Sequence, residues 1–196
     1  MSSYPIHSLQ SAPEASKAPL RALEAVFGFV PNLARAMAES PVLIQGFIGL
    51  FQNVHAGSFS EPEIQVLLLT NAVTNDSRWP VAFHTHLALA QGVAAADVDA
   101  IRARRAPADR RHAALSAVAR SLIENRGQLD AAAQSGFHAA GYRPDQLLEL
   151  IGVVAASALT NYAGNLVQPP LEDFLQASEA TAAAPAASRP SSGGSD

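Results

Sequence analysis

Residues 60–74 read SEPEIQVLLLTNAVT, and the fold turns on whether this apolar run is a strand or a helix. Periodicity alone does not separate a buried strand from a buried helix over so short a run. The residues in front of it do. Ser60 followed three positions later by Glu63 is a capping box, in which each residue satisfies a backbone N–H of the other at a helix start. A strand has no use for that pair, so the segment reads as an apolar, central helix. With it helical, no other stretch alternates with period two over any length, and no strand is expected.

The same signals extend outward. Upstream, APEASKAPLRALEAVFG (12–28) places Leu20, Leu23, Val26 and Phe27 at helical spacing, and Gly28 stops them. Pro31 suits the first turn of a second helix, and Ser40 caps a third that begins at Pro41 and presents Leu43, Ile44, Phe47, Leu50 and Phe51. Downstream, the turn Asn75-Asp76-Ser77 leads into RWPVAFHTHLALAQ, which Gly92 ends. Helical patterns follow in 93–103, 109–125 and 127–141, and a long one with Pro144 near its start closes the series at Val167. The expectation is an all-α bundle of about eight helices over residues 13–176. Residues 1–12 read as an extended arm. Residues 177–196 are small, Pro-, Ser- and Gly-rich, and read as a disordered tail.

Composition removes several function classes. Of the 196 residues 48% are hydrophobic but only 6% aromatic, so the core is built from Ala, Leu, Val and Ile. There is no Cys, hence no disulfide, no thiolate metal site and no thiol redox chemistry. A formal charge of −4 gives no field that attracts nucleic acid. No apolar run looks long enough to span a bilayer, and the N-terminus lacks the charged-then-apolar pattern of a secretory signal, so a cytoplasmic protein with no membrane partner is expected.

The chemistry concentrates in VTNDSRWPVAFHTHLALAQGV (73–93). His84 and His86 stand about 200° apart around a helix axis, so they cannot share a metal or a substrate. Pro80, Val81, Leu87 and Ala88 lie on the His84 side, which makes His84 the interior residue and turns His86 outward. A buried lone histidine is either a hydrogen-bonded structural residue or an acid–base group. Ser77 sits two helical turns before His84, roughly 10 Å, too far to be its nucleophile; it reads as a cap or turn residue. Pro80 disfavours helical geometry at Trp79, so the regular helix is expected to start at Pro80. Trp79 reads as core with its N–H satisfied, or as a pocket wall. The arginines 102, 104, 105, 110 and 111 read as a solvated connector rather than an anion site. His7, His55, His112 and His138 are scattered without metal-ligand spacing, and no phosphate loop is present, so neither a metal nor another cofactor is expected.

Four segments in order resemble the carboxymuconolactone decarboxylase superfamily, specifically its alkylhydroperoxidase D-like branch: FGFVPNLARAMAESPVLIQGF, FSEPEIQVLLLTNAVTND, SRWPVAFHTHLALAQGVAAADVDAIRARRAPADRRHAAL and LLELIGVVAASALTNYAGNLV. These segments lie within 27–167, and the resemblance as a whole covers roughly residues 14–175. The resemblance implies a helical bundle and assembly into homo-oligomers. Peroxidatic members carry Cys-x-x-Cys-x-x-x-His at the start of one helix and a Glu on the helix before it. One thiolate attacks peroxide, the other resolves the sulfenic acid, and Glu and His relay protons. On this chain the His falls on His84, the nearer Cys on Pro80, the farther Cys on Ser77 and the Glu on Gln65. Gln65 cannot titrate and Ser77 cannot replace a redox thiol, so thiol peroxidase activity, the family's default, is argued against. The decarboxylase branch also keeps the His, but its further polar residues are not placed here.

The resemblance therefore implies a pocket for a small organic substrate, carbonyl-containing or acidic. His84 is the general acid or base of a lyase- or isomerase-type reaction, Gln65 and Ser77 position the substrate, and Trp79 and Pro80 line the site. The alternative is a non-catalytic ligand-binding or structural oligomer.

Overall fold

The capping box forms as read: Ser60 N–H and Ser60 Oγ both donate to Glu63 Oε2 at 2.9 Å. It opens α4 (Glu61–Thr74), whose residues from Glu63 to Val73 are all buried. A helix buried on every side is a central one, and α5, α6, α7 and α9 all pack against it. The structure, a computed structural model, describes residues 4–176. Among them are nine helices and no strand: α1 (Glu14–Phe27), α2 (Asn32–Met37), α3 (Pro41–His55), α4, α5 (Arg78–Ala90), α6 (Ala95–Arg102), α7 (Arg110–Glu124), α8 (Ala131–Ala139) and α9 (Pro144–Val167). Residues 173–176 add a last helical turn.

Local chemistry sets the helix ends. Gly28 takes φ +78° and terminates α1. Ser40 Oγ accepts Leu43 N–H at the start of α3, and Asp109 and Asp130 do the same for α7 and α8. The interior divides into two apolar clusters. One centres on α4, α7 and α9 with Ile64, Leu67, Leu115, Val118 and Leu150. The other joins α1, α2 and α3 to α5 through Leu20, Leu23, Leu33, Met37, Trp79 and Phe83. The candidate site lies between them.

The structure adds to some expectations and corrects others. The described part of the N-terminal arm is docked: His7 N–H donates to Arg35 O at 3.2 Å and Arg35 Nε returns a bond to His7 O at 2.6 Å. The 177–196 tail lies outside the described residues. Among those residues α9, with 24, is long and apolar enough by length and composition to cross a membrane. Here its inner face packs on α3, α4 and α5. The arginine connector is partly structural, because Arg104 binds Asp76 at 2.7 Å and Val73 O at 3.0 Å, and Arg111 binds Glu63 at 2.7 Å. Helix α5 begins at Arg78, two residues before Pro80. Pro80 thus falls in the first turn, where a missing N–H breaks no helical bond.

Candidate functional site

Helices α4 and α5 bring the first pair together. Gln65, buried on α4, and His84 on α5 meet through Gln65 Oε1 and His84 Nδ1 at 3.0 Å. A carbonyl oxygen only accepts, so Nδ1 carries the proton and Nε2 is left as the ring's acceptor. Burial, and secondarily the charge of His55, hold the His84 imidazole well below its ordinary range, at about 3. His84 is therefore neutral throughout the physiological range. It accepts a proton or hydrogen bond but holds no proton in reserve. Its ring is nonetheless only partly buried by accessible area, because a cavity reaches it.

That cavity measures about 70 Å³ and is lined almost entirely by carbon. Phe27, Phe47 and Phe51 come from the N-terminal helices, Trp79, Pro80 and Phe83 from α5, and Leu68 and Ala156 from α4 and α9. Trp79 and Phe83 stack at 4.7 Å, and Phe27 meets Phe83 edge-on at 5.3 Å. Trp79 is both buried and a wall: its Nε1–H donates to Glu172 Oε2 at 3.1 Å, while Glu172 Oε1 accepts Asn32 N–H at 2.6 Å. The polar lining is sparse: Gln65, His84, His55, Ser157 and Thr160. Thr160 Oγ1 donates to Ser157 O at 2.9 Å, and Ser157 Oγ accepts Asn161 Nδ2 at 3.0 Å. Among the described residues no Lys or Arg lines the cavity, so they supply it with no fixed counter-ion for an acidic ligand.

His55, which the sequence reading left among the scattered histidines, lies on the same cavity as His84. It ends α3, and its Nδ1 lies 2.8 Å from Glu61 Oε1. The loop between them is pinned: Glu149 of α9 accepts both Ser58 N–H and Ser58 Oγ at 2.6 Å. A Cβ on Gly57 would lie 2.1 Å from the Glu149 carboxylate, so glycine is required for that approach. The available sequence signal was a histidine at a helix end with a carboxylate opening the next helix, six residues on.

Ser77 does not join the cavity. It is fully buried, and its Oγ donates to Asn161 O at 3.1 Å instead of capping α5. The reason is a close helix approach: a Cβ at Gly164 would stand 3.0 Å from Ser77 Oγ and 3.4 Å from Pro80 Cδ. Ser77 fastens α5 to α9. His86 is exposed and rests on Phe174 at 5.0 Å between ring centres. Among the described residues no three His, Asp or Glu side chains gather as a metal site.

No protein-family model and no curated protein matches the sequence. Solved structures do match. An uncharacterized peroxidase-related protein with an alkylhydroperoxidase AhpD core from Ralstonia eutropha JMP134 superposes with a TM-score of 0.75 at 16% identity, over 89% of this chain and 94% of that one. The debrominase Bmp8 superposes at 0.73 and 18% identity, over 89% and 94%. A cysteine-to-alanine variant of Bmp8 in complex with 2,3,4-tribromopyrrole superposes at 0.72 and 18%, over 91% and 95%. The chain has the all-α AhpD-like fold, and it has no cysteine.

Proposed function

We propose that this chain is a thiol-independent enzyme of small-molecule metabolism, of lyase or isomerase type, in which His84 is the proton acceptor. The observation that carries the reading is the Gln65–His84 pair, at 3.0 Å, set on an otherwise apolar cavity. Gln65 orients the ring and fixes its tautomer, and the apolar walls offer Nε2 few competing polar groups. Trp79 and Pro80 contribute wall. Ser77 acts through packing. Peroxide reduction by thiols is excluded chemically, because no residue can form a sulfenic acid or a disulfide.

The cavity also bears on the ligand. An engineered cavity of about 150 Å³ holds benzene; one of about 70 Å³ suits a molecule of a few non-hydrogen atoms, or the leading end of a larger one. Its carbon lining favours a neutral body over an acid. The debrominase complex, in which a chain of the same fold holds 2,3,4-tribromopyrrole, supports this choice.

A second reading has an observation of its own. An imidazole held at about 3 is a weak base, which suits a ligand-binding protein that uses Nε2 only as a hydrogen-bond acceptor. Turnover separates the two: small ketones and lactones incubated with wild type and His84→Gln should show conversion in the first only. Binding without conversion, lost in His84→Gln, would select the second. Self-association belongs to the proposal. Leu148, Ile151, Tyr162 and Leu166 are exposed along one side of α9 at helical spacing, and light scattering should return a multiple of 20.4 kDa.

A further inference from the structure

A proton acceptor alone does not complete a lyase or isomerase reaction; the proton must also be supplied. His84 stores none. Gln65, Ser157 and Thr160 do not titrate in the working range. Among the described residues the remaining ionisable side chain on the cavity is His55, and it has a carboxylate, Glu61, at hydrogen-bond distance.

We propose that His55, braced by Glu61, is the proton donor of this cavity, and that it works with His84 on a small, neutral carbonyl compound. The inference rests on the reading of His84 as the acceptor. Glu61 Oε1, 2.8 Å from Nδ1, orients the ring, and in the proposed step the protonated ring donates from Nε2. In the step, a C–H bond next to the carbonyl breaks and its proton goes to His84 Nε2. The bonding pair becomes the C=C bond, the carbonyl π pair moves to oxygen, and the oxygen takes the proton from His55 Nε2. The product is the enol. Returning the O–H proton to His55 while a proton is delivered to the opposite face of the same carbon restores the carbonyl and inverts that carbon, an isomerisation with no oxidant or reductant.

The pair explains how so weak a base can act. A proton on His55 is the second cause, after burial, that acts against protonation of His84. When His55 gives up its proton that repulsion vanishes and His84 gains basicity in the same step. The groups facing His55 are few. Glu61 comes from α4 and His84 from α5, while α9 contributes uncharged Ala156, Ser157 and Thr160, with Glu149 committed to Ser58.

Butanone matches the cavity in size and has exchangeable protons beside its carbonyl. Its deuterium uptake in D2O, followed by proton NMR, is the test. Wild type should accelerate exchange. His55→Gln should lower kcat by ~100-fold or more with KM and melting temperature little changed, and Glu61→Gln should lower it less. Imidazole added to His55→Ala should restore part of the rate, which a purely structural role would not allow. If His84→Gln is silent while His55→Gln keeps the wild-type rate, the assignment of His55 falls and that of His84 stands. If wild type exchanges butanone no faster than the His55→Gln/His84→Gln double variant, both fall.

Discussion

Glu63 and Gln65 stand two residues apart on α4 and serve opposite purposes. Glu63 is saturated. Ser60 donates to it twice at 2.9 Å, Arg111 binds it at 2.7 and 3.2 Å, and Tyr142 OH donates at 2.7 Å. The Arg111 guanidinium also lies 4.2 Å over the Tyr142 ring. Burial pushes the Glu63 carboxyl up, but the bonds from Tyr142, Ser60 and Arg111 overcome it and hold the group at about 2. Burial and the Glu63 charge push the Tyr142 phenol far up. Gln65, equally buried, makes one side-chain hydrogen bond, to a histidine that faces a cavity. A buried polar group closed on all sides holds helices together. One left open beside a cavity has capacity for a ligand.

The largest effect should come from breaking the saturated side. Glu63→Ala leaves Arg111 and Tyr142 without their acceptor and should cost about 3 kcal/mol in urea denaturation, while butanone exchange by the folded fraction keeps its rate. Acid should separate the two regions next. The folded pKa of His84 is depressed to about 3 from the ordinary 6.5. The unfolded chain thus binds a proton that the native state refuses, and stability present above pH 6.5 is lost as pH falls towards 3, by a few kcal/mol on the order of the shift. His84→Gln should remove that component. The Glu63 component is present above its ordinary 4.5 and is lost as pH falls through about 2, so it should survive in His84→Gln.

Gln65→Leu should keep the fold, since it replaces one buried amide by carbon, yet lower exchange roughly tenfold to a hundredfold by freeing the imidazole. Smallest is Ser77→Ala, which removes the bond to Asn161 O and should cost about 1 kcal/mol with no change in exchange. A Ser77→Ala variant that lost turnover while remaining folded would return Ser77 to the chemistry.

These contrasts also mark what could be read in advance. The capping box, the glycine stops and the helical spacing are local signals, and the helices follow them. The opposed directions of His84 and His86 follow from helix geometry. His55 was not legible as a partner of His84: 29 positions separate them, and only the packing of α3 and α5 around one cavity joins them. Arg111 looked solvated because its partners, Glu63 and Tyr142, are remote in sequence. Ser77 looked like a cap because the competing acceptor, Asn161 O, lies 84 residues away. In each case a tertiary contact replaced the expected local one.

The central claim is that His84 is a neutral imidazole, protonated on Nδ1 and open at Nε2. Long-range proton–nitrogen NMR of the histidine rings tests it directly. The account predicts that the His84 signals keep the Nδ1–H pattern from pH 8 down to about 4, and that Gln65→Leu disturbs it. A His84 ring that titrates near 6.5 in the folded protein, or that carries its neutral proton on Nε2, would contradict the account.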